Sequence, residues 1–152
     1  MFKRIRKYFS LDKRERKLLN RAFIWLIYAF VLVRIIPLRW FSNILGEFNN
    51  VEVFNESEVE AEYGREQLEL IRMVKRNLRR IKKRLPWKVK CFEEAIAAKK
   101  MLDWLGIECS LFLGVAKEGE KDLKAHAWIK SSGYFVSGEK GYQKFTVVGF
   151  YR

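Results

Sequence analysis

Two hydrophobic rhythms divide the chain. Residues 22–33, AFIWLIYAFVLV, are an unbroken apolar run closed by Arg21 and Arg34. With Ser10 as a candidate N-cap and Pro37 as a stop, the pattern predicts a helix from about Leu11 to Ile36. The twelve residues of the run, at about 1.5 Å rise each, reach roughly 18 Å, short of the about 30 Å hydrocarbon core of a bilayer. Extending the run to Leu38 would put Arg34 in lipid, at a cost of about 2.5 kcal/mol or more. A buried helix, or one lying in a membrane interface with its basic flank on anionic headgroups, fits better than a span. Trp40 and Phe41, in RWFSNILG, extend the same apolar surface.

Further on, Leu68, Ile71, Val74, Leu78, Ile81 and Leu85 recur at helical spacing, so an amphipathic helix is expected over Arg65–Leu85. Its other face holds Lys75, Arg76, Arg79, Arg80, Lys82 and Lys83. Pro86 interrupts it, having no amide to donate and disfavouring helix in the residue before it. A third helix is predicted from Cys91 to about Leu105, burying Phe92, Ala95, Ile96, Met101, Leu102 and Leu105 and stopping at Gly106. After Gly106 the period falls to two. Strands are expected at 107–116, 124–130, 134–138 and 145–151, with KEGEKDL and SSG as turns. A helix followed by an antiparallel meander is an α+β pattern.

Between the two halves the charge reverses, with eight glutamates against one arginine over residues 47–69. The chain therefore divides into a basic and apolar helical region over 1–46, an acidic connector over 47–64 and a compact domain over 65–152. At 152 residues and 49% hydrophobic the sequence can bury a core, which argues against wholesale disorder. Its net charge of +13 points to an anionic partner. Nine lysines and arginines fall within residues 75–90, but Trp87 is the one aromatic among them and no helix-turn-helix or zinc-finger spacing accompanies them. Nucleic acid is thus a disfavoured partner.

Cys91 and Cys109 are the only cysteines and His126 the only histidine. Without CxxC or HExxH spacing, neither a metal nor another cofactor is expected. With no cysteine framework and no small-residue cleavage site, reduced thiols in a cytoplasmic protein are expected, membrane association through the N-terminal helix being the open extension. A thiol attacks only as its thiolate, which the start of a helix and a neighbouring imidazolium both favour. Cys91 stands at a predicted helix start with Lys88 and Lys90 before it, and His126 lies on the predicted strand AHAWIK. A helix-borne cysteine followed by a strand-borne histidine is the order of papain-like and transglutaminase-like enzymes. Strand alternation puts His126, Trp128 and Lys130 on one face and Ala127 and Ile129 on the other, and only one set can face the helix. The competing reading makes Cys91 a small buried hydrophobe and His126 a satisfied sheet residue. Cys109, alternating with apolar neighbours, is assigned to packing. Trp87 and Trp128 are candidates to line a substrate cleft, or simply core.

The stretches LPWKVKCFEEAIAAKKMLDWLGIECSLFLGV, from Leu85, and AHAWIKSSGYFVSGE, from Ala125, resemble the protease half of the lasso-peptide biosynthesis B proteins. Those are transglutaminase-like (papain-like) cysteine proteases that remove the leader from a lasso-peptide precursor. The likeness covers about residues 65–150 and extends to the N-terminal apolar helix and its Pro37-x-Arg39 element. It implies an α+β core with a helix packed on an antiparallel sheet, Cys91 as nucleophile and His126 as base. It also implies an oxyanion site built partly from the Cys91 amide. Family members often place an aspartate about a dozen residues after the histidine; here Gly138 has that place and Glu139 follows, so the resemblance implies Glu139 as the third catalytic residue, with a backbone carbonyl or amide as the alternative partner of the imidazole. The family's leader-gripping domain has no room in this chain, which implies a split form that works on a precursor peptide with a separate leader-recognition protein and a lasso cyclase. The apolar N-terminal helix and the basic face of 75–83 would then be docking surfaces for those partners or a membrane. An acyltransferase of the same fold, and a nucleic-acid- or membrane-binding module without catalysis, are the alternatives.

Overall fold

The computed structural model describes residues 6, 8–50, 64–119 and 122–152. The expected acidic connector therefore lies largely outside the described residues, as do the first five residues of the basic N-terminal region and the middle of the KEGEKDL turn. The apolar run forms α1 (Lys13–Ile35), with Asp12 rather than Ser10 at its N-cap. It ends where Ile36 turns extended ahead of Pro37. Leu18, Leu19, Ala22, Leu26, Ala29 and Leu32 are buried at three- and four-residue spacing, whereas Phe23, Ile24, Val31 and Ile35 are exposed. By length and composition α1 is the one helix among the described residues able to cross a membrane, yet 33% of its apolar stretch is buried inside the protein. One stripe of it belongs to the core.

A short helix, α2 (Leu38–Phe41), and a 3-10 turn over Ser42–Leu45 add Phe41 and Leu45 to that core. The basic amphipathic segment forms α3 (Arg65–Lys82), and the cysteine-bearing one α4 (Cys91–Trp104). Lys17 and Arg21, early in α1, lie over the Trp104 ring at the end of α4, at 5.1 and 3.9 Å. Arg34, late in α1, reaches Glu93 in the first turn of α4 at 3.5 Å. The two helices are thus antiparallel. Ala95, Ile96, Ala97, Ala98, Met101 and Leu102 of α4 are all fully buried. The sequence suggested a narrower stripe because a helix enclosed on several sides has no polar face to define one.

The sheet has five strands: β1 (Phe48–Asn49), β2 (Ser110–Glu118), β3 (Asp122–Ser131), β4 (Tyr134–Ser137) and β5 (Thr146–Tyr151). Their order is β1-β5-β2-β3-β4, every pair antiparallel. Two features depart from the expected meander. A two-residue β1, hidden in the acidic segment, pairs with the end of β5. And β5 crosses back to β2 instead of pairing with β4. A 3-10 turn over Tyr142–Lys144 makes that return, with Tyr142 against Trp128 and Phe135 at ring separations of 5.8 and 4.5 Å. Burying these rings over the sheet favours the crossing over a direct hairpin.

The two faces of the sheet have different partners. Leu111, Ala127 and Ile129 join α1, α3 and α4 in one cluster of buried side chains running from Leu18 to Tyr151. Phe112, Trp128 and Phe150 point the other way, under Phe135, Tyr142 and Phe145. The N-terminal helix thus shares its core with the sheet.

Candidate active site

The loop after α3 delivers an extended Lys90 to the start of α4, and Cys91 is the first helical residue. The Lys90 amide donates to Glu93 Oε2 at 3.0 Å, which fixes the helix start. Glu93 is fully buried, and Arg34 lies beside its other oxygen. Sequence reasoning passed over Glu93, although a glutamate at the third helical position is a known start signal. Cys91 is half-buried with a free thiol. Its amide belongs to the first turn of α4, whose N–H groups have no acceptor within the helix.

His126 sits on β3 opposite Gly114 of β2. Its ring is 4.9 Å from that of Phe145 and 5.7 Å from that of Trp128. Strand alternation thus places His126 on the aromatic side, while its neighbour Ala127 faces the helices. The pairing of β4 with β3 stops at Ile129, leaving the β3 edge beside His126 free of a ladder partner on that side. There His126 Nε2 meets the Gly138 carbonyl oxygen at 2.8 Å. A carbonyl only accepts, so Nε2 carries the proton, and in the neutral ring Nδ1 is the nitrogen with a free lone pair.

Gly138 has φ +72°, and a Cβ added there would stand 2.4 Å from the Ala127 oxygen and 2.6 Å from Trp128 Cβ. An aspartate cannot take this position on this backbone. Glu139, the expected third residue, is turned elsewhere: its carboxylate pairs with Lys75 Nζ at 2.8 Å. The imidazole is oriented by the backbone of residue 138, a group no sequence pattern displays.

Cys91, His126 and Glu139 line one cleft of about 780 Å³, together with basic residues of α3 and the end of β4. The two tryptophans lie outside its lining. Trp87 packs on Phe30 at 4.4 Å within the core, and Trp128, 2% exposed, stacks on Phe112. Trp128 therefore supports His126 from behind. Cys109 is buried apart from the cleft, and burial pushes its thiol up to about 12. Among the described residues no group of His, Cys, Asp and Glu is placed to hold a metal ion.

Residues 32–149 match the family model of the transglutaminase-like superfamily. The chain belongs to that superfamily. Searches of curated proteins and of solved structures returned no match. The transglutaminase-like superfamily generally contains cysteine peptidases and transferases, and a helix-borne cysteine beside an antiparallel sheet is the α+β arrangement described above.

Proposed function

We propose that the protein is a cytoplasmic cysteine peptidase that removes the leader from a lasso-peptide precursor, acting with a separate leader-recognition protein and a cyclase. The observation that carries the catalytic part is the bond from His126 Nε2 to the Gly138 carbonyl, in a cleft that Cys91 also lines. It leaves Nδ1 as the basic nitrogen. The leader-peptidase part is supported by the run from Leu85 to Val115 and by AHAW at residues 125–128, which resemble the lasso B proteases.

In this mechanism Cys91 Sγ attacks the carbonyl carbon at the leader–core junction while its proton passes to His126 Nδ1. The carbonyl oxygen becomes an oxyanion and takes the Cys91 amide as one donor; such a donor is worth about 3 kcal/mol in related sites. Collapse breaks the C–N bond, and His126 returns the proton to the departing amine of the core. Water, deprotonated by His126, then hydrolyses the thioester and frees the leader carboxylate. The Gly138 carbonyl holds the ring throughout and stabilises the imidazolium.

The test is co-expression of the protein with precursor and recognition partner, followed by mass spectrometry of the precursor. Wild type should yield leader and core fragments, and Cys91→Ala an intact precursor. Intact precursor with both proteins would overturn the leader-peptidase reading. A leader recovered as an amide instead of a free acid would turn it into the acyltransferase one, because an amine would have replaced water at the thioester.

A further inference from the structure

The cleft that holds Cys91 and His126 is strongly and asymmetrically charged. Lys75, Arg79 and Lys82 of α3 and Lys83 just after it line it on one side and Lys140 on another, while the only carboxylates in its lining are Glu94 and Glu139. Both carboxylates are already engaged, Glu139 with Lys75 and Glu94 with Lys82. Arg79, Lys83 and Lys140 are exposed and form no ion pair among the described residues. Ser137 also lines the cleft, and its buried hydroxyl has no hydrogen-bond partner among the described residues. A buried polar group in that state takes its hydrogen bond from water or from a bound ligand.

We infer that this cleft selects an acidic peptide segment, with aspartate or glutamate side chains beside the reacting bond held by Arg79, Lys83 and Lys140. This deepens the peptidase reading and rests on Cys91 and His126 being the reacting pair. Three cations without an ion-pair partner among the described residues, set around a concave site, raise the local concentration of an anionic ligand and reject a cationic one. A peptide is favoured over a nucleic acid because none of the residues lining the cleft is a phenylalanine, tyrosine or tryptophan on which bases could stack. The guanidinium of Arg79 suits a carboxylate bidentately, and the lysines act as point charges.

The test reads the cleft through its own thiol. The full chain is treated with iodoacetamide in the presence of matched capped peptides that carry glutamate, glutamine or lysine at the same positions, and carbamidomethylation of Cys91 is followed by mass spectrometry. The glutamate peptide should slow Cys91 modification about fivefold at low salt, with the protection fading at high salt; the glutamine and lysine peptides should leave it nearly unchanged. Protection, taken as the rate ratio with and without peptide within each protein, should vanish in R79Q/K83Q/K140Q. It should persist in K13Q/K117Q, whose side chains are exposed outside the cleft lining. Charge reversal in K83E/K140E should transfer protection to the lysine peptide, and circular dichroism checks that each variant is folded.

Equal protection by all peptides, none by the glutamate peptide, or protection surviving in R79Q/K83Q/K140Q would overturn the inference. So would protection by a single-stranded oligonucleotide in place of the acidic peptide, which would make the cleft a phosphate site. Because no cleavage is needed, the two readings fail separately. Cys91-dependent cleavage of the precursor without acidic protection would sink the inference alone, whereas acidic protection without cleavage would sink the leader-peptidase reading alone.

Discussion

Gly138 and Glu139 are neighbours, yet they offer His126 different things: one a carbonyl at 2.8 Å, the other a carboxylate already paired with Lys75. Glu139→Gln should therefore change kcat by less than about threefold, since an exposed ion pair is worth roughly 0–1 kcal/mol. His126→Ala should lower kcat by about 10²–10⁴-fold, the usual contribution of a positioned acid–base group. Gly138→Ala should be damaged twice, by its φ of +72° and by the Ala127 oxygen in the way of a Cβ. A stability loss of about 1–3 kcal/mol in urea denaturation is expected, together with a lower kcat at temperatures where the variant remains folded. Steady-state cleavage of a precursor peptide separates the three. The other thiol makes a prediction of its own. Burial raises Cys109 to about 12, above the about 8.5 of an exposed thiol. The unfolded chain therefore loses this proton first as pH rises, so the stability it supports is complete below about pH 8.5 and drains away towards pH 12. The urea midpoint should fall between pH 8 and pH 10 more steeply in wild type than in Cys109→Val. Tyr151, also raised by burial, leaves a residual slope in both.

Among the elements, α1 decides whether the N-terminal region is an appendage or part of the fold. Leu26 is fully buried in the shared core and Ile24, nearby on the same helix, is 58% exposed. Leu26→Ala should destabilise the whole protein by about 2–5 kcal/mol, and Ile24→Ala by about 0.5 kcal/mol or less. If chemical denaturation were indifferent to Leu26→Ala, α1 would be a separable anchor. The helices were largely legible in the sequence because their apolar spacing, Pro37, Pro86 and Gly106 are local signals. Cys91 at a helix start and His126 on a strand were legible for the same reason. Strand order was not: β5 reaches β2 through contacts of Tyr142 and Phe145 with rings far away in sequence, and local pattern says nothing of that choice. β1, with two residues, is too short for any period to show. A backbone carbonyl was one expected partner of the imidazole, but that Gly138 supplies it was not legible because a main-chain carbonyl has no letter, and Trp87 and Trp128 were overvalued as cleft residues because an aromatic looks the same in a core as in a pocket.

At the scale of the whole molecule, a net charge of +13 is distributed so that the basic face of α3 becomes one wall of the cleft. Four of the residues that suggested a nucleic-acid surface, Lys75, Arg79, Lys82 and Lys83, thus line the cleft that Cys91 also lines. The helix sets the sulfur, the sheet sets the imidazole, and the turn after β4 orients it. The proposed peptidase requires Cys91 to become acylated. The most direct measurement is the intact mass of the protein, quenched in acid while it processes precursor with its recognition partner. An adduct of leader mass that maps to the peptide containing Cys91 and is released by hydroxylamine is the expected result. Precursor cleavage that proceeds without such an adduct, and survives Cys91→Ala, would contradict the proposal.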